Sequence, residues 1–313
     1  MINKRLLAQL GLIITTVICG STFLLVKNSV EAGTTPFTFI FYRFIIAIIM
    51  IIPFILFSKD KGSSIIQFNR NEVLFGIICG FFLYVGYVFQ TYGLERTLAT
   101  KSAFITGTSV LIVPFIIYLY KRDRIGYELW LSILVVILGL YLFTNPGTLT
   151  EVELAKAKIG ELNVRQQALP NIGDLLTFGC AIFFAMHIVG QSDAVQNKIN
   201  LIRFLSIQFL TVAILSGLST FFTGGFVANY DSQLLTSLII NGVFASTIAI
   251  FLMVWAQKIL TAAETAIIFS LEPIFCLLFE IIVGETDTIG LFQWGGGILV
   301  VIAVIYYSIA SEK

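Results

Sequence analysis

Ten apolar stretches, each about as long as a membrane is thick, recur along this 313-residue chain and decide what it can fold into. A helix rises about 1.5 Å per residue, so roughly 20 apolar residues cross the hydrocarbon core of a bilayer. The stretches lie at 6–27, 36–57, 73–94, 99–120, 127–144, 172–191, 201–222, 233–257, 263–283 and 290–309. The fourth and eighth are the least clean, because of Lys101 and Gln257. In lipid a spanning segment of this length satisfies its backbone polar groups internally as a helix, so the expected class is an all-α integral membrane protein. Composition agrees: 58% of residues are hydrophobic and 12% charged, against about 25% charged in a soluble domain. The net charge of +1, with scattered Lys and Arg, excludes a nucleic-acid partner. The first stretch follows Lys4 and Arg5 as a signal peptide would, yet it lacks a clean small-residue cleavage site and is expected to remain as helix one.

Positive charge sets the expected orientation. With a cytoplasmic N-terminus, the inner regions hold Lys4, Arg5, Lys59, Lys61, Arg70, Lys121, Arg122, Arg124, Lys198, Arg203, Lys258 and Lys313. The outer regions hold only Lys27, Arg96, Lys101, Lys156, Lys158 and Arg165. Both termini are therefore expected in the cytoplasm. The one sizeable polar stretch, 145–171, carries Glu151, Glu153, Lys156, Lys158, Glu161 and Arg165 between Pro146 and Pro170, and is expected outside as a loop with a short surface helix.

That loop divides five helices (1–144) from five (172–313), and the halves look related. Gly93, Leu94, Thr97, Ala99, Ser102, Ala103 and Pro114 lead from helix three into helix four, as Ile259 to Ala266 and Pro273 lead from helix eight into helix nine. Five is odd, so the second half enters the membrane from the opposite side and the repeat must be inverted. Inverted repeats place a substrate site at their interface near the midplane.

Five stretches make the chain resemble a known family. They are Cys19–Gly20–Ser21–Thr22–Phe23, Pro36 to Arg43, Ala103 to Gly107 continuing to Val113–Pro114, Gly173–Asp174–Leu175–Leu176, and Phe269–Ser270–Leu271–Glu272–Pro273. In order and spacing the chain resembles the drug/metabolite transporters of the ten-helix EamA type. Cys19 stands where a Trp often precedes the Gly of that pattern, and the 145–171 loop is a second departure. The resemblance implies a secondary transporter of the bacterial inner membrane that exports or exchanges a small metabolite such as an amino acid by alternating access. It also implies lipid surroundings, protons or a counter-substrate as coupling partners, and room for a homodimer.

Polar residues inside the membrane single out the candidate pathway, since an ionisable group at the bilayer centre costs roughly 2.5–3.5 kcal/mol on insertion scales. Glu272 comes first: it falls near the midplane of helix nine, and Pro273 after it leaves the Phe269 carbonyl without its helical donor. A cation or proton site is one reading of Glu272, and a hydrogen-bonded packing group the other. His187, the chain's single histidine, has Gln191 one turn further along helix six. A relay or pH-sensitive gate and a histidine satisfied by a neighbouring helix are equal alternatives there. Tyr84, Tyr87 and Thr91 form a stripe on helix three that could line a pocket for a cationic or amphipathic substrate, with Trp255 and Gln257 their counterparts in helix eight. Ser21 belongs to the small polar set of helix one. Arg43 lies within snorkelling reach of the outer interface and reads as an anchor. Lys101 and Glu264 begin helices four and nine and read as solvated termini. Glycines such as Gly11, Gly20, Gly80, Gly107 and Gly295–Gly296–Gly297 read as helix-packing positions. Cys19, Cys79, Cys180 and Cys276 sit in apolar runs at no metal-ligand spacing and read as small hydrophobes.

No cofactor or metal is expected. A membrane enzyme would need an acidic or His-rich constellation at the membrane surface, and a receptor would need sizeable soluble parts. Neither pattern is present. No Gly-x4-Gly-Lys-Ser/Thr motif occurs in the sequence, so energy is expected from gradients or exchange.

Overall fold

A computed structural model describes residues 4–57, 68–122, 126–144, 171–197, 199–285 and 291–310. Among these residues there is no strand, and ten helices follow the ten apolar stretches. They are α1 (Lys4–Glu31), α2 (Pro36–Phe57), α3 (Arg70–Leu94), α4 (Ala99–Gly107 and Ser109–Lys121) and α5 (Tyr127–Thr144). The second set is α6 (Ile172–Gln196), α7 (Leu201–Phe222), α8 (Ser232–Ala256), α9 (Ala262–Phe269 and Glu272–Ile282) and α10 (Leu291–Ala310). Eight are long and apolar enough to span a membrane, and α5 and α10 hold shorter apolar cores. Leu131, Leu134 and Leu138 of α5 and Ile298, Ile302 and Ile305 of α10 are exposed at the perimeter, where only lipid suits them. The expected 145–171 loop lies outside the described residues except for Asn171, which caps α6.

The arrangement maps onto itself when each helix is exchanged for the one five positions away. α1 packs on α8 and α9, as α6 packs on α3 and α4; α2 packs on α8, as α7 packs on α3. The pairs α2 with α7, α5 with α10 and α4 with α9 are their own counterparts. The α4–α9 pair settles the hand of the exchange. The first part of α4 touches the second part of α9, and the second part of α4 touches the first part of α9, so counterpart helices run antiparallel. The two five-helix sets are thus an inverted repeat.

Three helices depart from the uniform rods read in the sequence. α4 breaks at Thr108 and α9 at Ser270–Leu271. In α9 the cause is Pro273, which cannot donate to the carbonyl of Phe269. In α4 the break follows Gly107, where a Cβ would come 3.6 Å from Pro273 Cγ, so the two broken helices meet at their breaks. α8 runs as a π-helix from Ile240 to Ile248. The Thr247 hydroxyl follows that wider register and donates to the Gly242 carbonyl five residues back, at 2.9 Å.

Candidate functional site

A cavity of about 70 Å³, partly open, lies where the two halves meet. Its walls are Thr15 and Cys19 of α1, Leu83 and Tyr87 of α3, Thr106 and Ser109 of α4, Phe184, His187 and Ile188 of α6, Ala245, Ala249, Ile250 and Met253 of α8, and Phe269 and Glu272 of α9. Six helices, three from each half, therefore line it, and α5 and α10 contribute none of these residues. The broken helices supply its polar rim. Thr106 and Ser109 flank the break in α4, while Phe269 and Glu272 flank the break in α9.

Glu272 is buried and opens the second segment of α9, where the helix dipole favours negative charge. Among the described residues its carboxylate has no hydrogen-bond or ion-pair partner. Gly20 lets α1 pass close by. A Cβ at that position would come within 2.8 Å of the Glu272 carbonyl and of Phe275 Cβ.

Tyr87 stands across the cavity within an aromatic cluster, its ring 5.2 Å from Phe184 and 5.5 Å from Phe44. Behind it lies Arg43. Instead of snorkelling to an interface, Arg43 is 4% exposed. It donates from Nε to Ser246 Oγ at 2.6 Å and from Nη2 to the Tyr87 hydroxyl at 2.9 Å, with its guanidinium 4.2 Å from the Tyr87 ring centroid. These are neutral partners and an aromatic face, so the site holds one buried cation and one buried carboxylate. The anchor reading of Arg43 is corrected here: the side chain turns inward, where Ser246 of α8 and Tyr87 of α3 satisfy it, and α8 lies close to α2 at Gly242, where a built Cβ would stand 3.0 Å from the Arg43 carbonyl.

His187 reaches the cavity wall, and its Nε2 donates to Gln208 Oε1 of α7 at 2.9 Å. The histidine is thus satisfied by a neighbouring helix while also facing the cavity. The other expected lining residues lie elsewhere. Tyr84 is turned to Ser219 of α7, their hydroxyl oxygens 2.5 Å apart. Thr91 is buried within the bundle one turn nearer the end of α3. Trp255 packs beneath Gly11 of α1 with the core that α4, α5 and α10 share. Ser21 donates to the Ile18 carbonyl of its own helix at 2.8 Å. Gln191 is fully buried, and among the described residues both its amide atoms lack a partner, while Gln257 donates to the Ile188 carbonyl at 3.1 Å. None of these six is in the cavity wall.

Sequence reasoning missed Thr15, Cys19, Thr106, Ser109, Phe184 and Arg43. A signal existed in part: Thr15 and Cys19 lie four residues apart on one face of α1, and Phe184 and His187 lie three apart on α6. Cys19, read as a small hydrophobe, is the thiol of the four that borders the cavity, and the other three are buried.

A multi-pass membrane protein built as an inverted repeat around a central cavity is the class that this fold and site define. The chain matches the EamA-like transporter family twice, over residues 6–145 and 171–309, one match for each five-helix set, and it belongs to that family. An "uncharacterized transporter" of Archaeoglobus fulgidus is 30% identical over 98% of this chain and 87% of its own length. A WAT1-related protein of Arabidopsis thaliana is 22% identical over 94% of this chain and 88% of its own. A solved structure, titled only as the crystal structure of a protein, superposes with a TM-score of 0.70 at 17% identity, covering 98% of this chain and 99% of that one. It shares the fold.

Proposed function

We propose that this transporter carries a small metabolite through the central cavity by alternating access, as an exporter or exchanger, and that the substrate bears both a positive and a negative group, as an amino acid does. The observation that carries this reading is the Glu272 carboxylate, buried at the cavity wall with no protein partner among the described residues. A buried charge is normally paired or neutralised, so a substrate ammonium or a proton suits this position. The aromatic face of Tyr87 with Arg43 behind it supplies a positive field on the other side, suited to a carboxylate. The inverted repeat supports the mechanism, because exchanging the conformations of two related halves opens one site alternately to each side. The distribution of Lys and Arg supports cytoplasmic termini in a bacterial inner membrane.

The test is counterflow in liposomes holding the purified protein, screened against amino acids, nucleotide-like metabolites and organic cations. Zwitterionic substrates should exchange above the rate of empty vesicles, and simple cations and anions should not. Exchange of none of them by correctly folded protein contradicts the reading.

A further inference from the structure

Two ion pairs lie at opposite ends of the bundle, at positions that the inverted repeat relates, with their charges exchanged. At the end of the bundle where α1 begins, Arg5 of α1 is paired with Glu264, the third residue of α9. At the opposite end, Lys101, the third residue of α4, is paired with Asp174, the third residue of α6, at 2.7 Å. α4 and α9 are counterparts, and so are α1 and α6. One pair therefore puts the base on the broken helix and the acid on the partner helix, the other pair does the reverse, and the first half supplies both bases while the second supplies both acids. Read from sequence as solvated helix termini, Lys101 and Glu264 are both at most about one-fifth exposed and bind across the halves.

Both acids are held rigidly. Glu264 accepts from the Thr261 backbone N–H at 2.8 Å, and its own N–H donates to the Thr261 hydroxyl at 3.2 Å. Asp174 does the same with Asn171, at 2.9 and 3.1 Å. Each carboxylate is thus fixed to its helix start by a reciprocal cap, and the flexible base swings to meet it. Each pair ties together two of the helices that line the cavity, and one of the two is a broken helix. The α3–α4 link is tied further: Thr97 donates to Asp174 at 2.7 Å, and Lys27 of α1 donates to the Thr97 carbonyl at 2.9 Å.

We infer that Arg5–Glu264 and Lys101–Asp174 are the two gate latches of the transport cycle, one for each face of the membrane, each released when the cavity opens to its own side. This rests on the alternating-access reading above, and the test does not require transport. Cys19 borders the cavity, so with Cys79, Cys180 and Cys276 replaced by Ala its modification by a small membrane-impermeant methanethiosulfonate reports access from whichever face receives the reagent. Asp174→Asn and Glu264→Gln remove one charge while keeping a side chain that can cap. Asp174→Asn should raise labelling about five-fold or more from the face opposite the α1 start, and Glu264→Gln should do so from the α1 face. Lys101→Ala and Arg5→Ala should match Asp174→Asn and Glu264→Gln respectively, and Lys101→Arg and Arg5→Lys should stay near the parent rate. Sided effects of this kind support the latches even where counterflow fails, which would remove the transport reading alone. Changes on the same face for both pairs, on both faces at once, or on neither, overturn the latches whatever the counterflow result.

Discussion

A planar guanidinium over an aromatic ring does what an ammonium cannot, and Arg43 shows why. It serves Ser246 of α8 and Tyr87 of α3 at once while its face lies 4.2 Å from the ring centroid. A lysine offers a compact charge that can serve one of these partners well. Arg43→Lys should therefore fold yet lower counterflow of a zwitterion at least tenfold through a raised KM, with kcat changed less. An unchanged KM would show that Arg43 only braces α2 against α3 and α8. Tyr87→Phe removes one hydrogen bond to a charged group and keeps the ring, so it should cost about 1.5–3 kcal/mol at most. The midpoint of thermal unfolding in detergent, compared with the parent protein, measures that cost.

Between elements, closeness is decided by what is missing from the side chains. Gly20 sits where α1 crosses the second segment of α9, with room for no further carbon. Gly20→Val should destabilise the protein by about 1–3 kcal/mol through overpacking, read as a lowered midpoint of thermal unfolding in detergent. Gly295→Ala should leave it unchanged, because a Cβ at Gly295 meets nothing within 4 Å. How far the elements were legible follows the same logic. The ten spans could be read because lipid demands about 20 apolar residues for each. Glu272 and Tyr87 could be found because a carboxylate or a deep tyrosine is costly in lipid unless it faces a cavity. The stripe that grouped Tyr84 with Tyr87 was right about helix three alone. Helical period fixes a face on one helix but says nothing of which neighbour that face meets, and α7 takes Tyr84 while the cavity takes Tyr87. Pro273 announced the break in α9. The break at Thr108 and the π-helix of α8 had no local marker of that kind, since both arise where helices cross.

At the scale of the whole molecule, two five-helix sets run in opposite senses through the membrane, and at their interface the Glu272 carboxylate has no protein partner among the described residues. The orientation is checked by single-cysteine labelling of a Cys-free variant at Ser58 and Lys158, two positions outside the described residues. Ser58 should react from the cytoplasmic face and Lys158 from the other, and reaction of both from one face would reject the topology. The central claim is that a substrate crosses through this cavity and depends on Glu272 to do so. Counterflow measured side by side for the native protein and Glu272→Gln, a change that keeps shape and removes ionisation, tests it most directly. The expected result is a Glu272→Gln protein that inserts and unfolds like the native one but exchanges substrate at least tenfold more slowly, about 1.4 kcal/mol or more in the transport barrier. Exchange at the native rate by Glu272→Gln would contradict the account and leave Glu272 a packing residue.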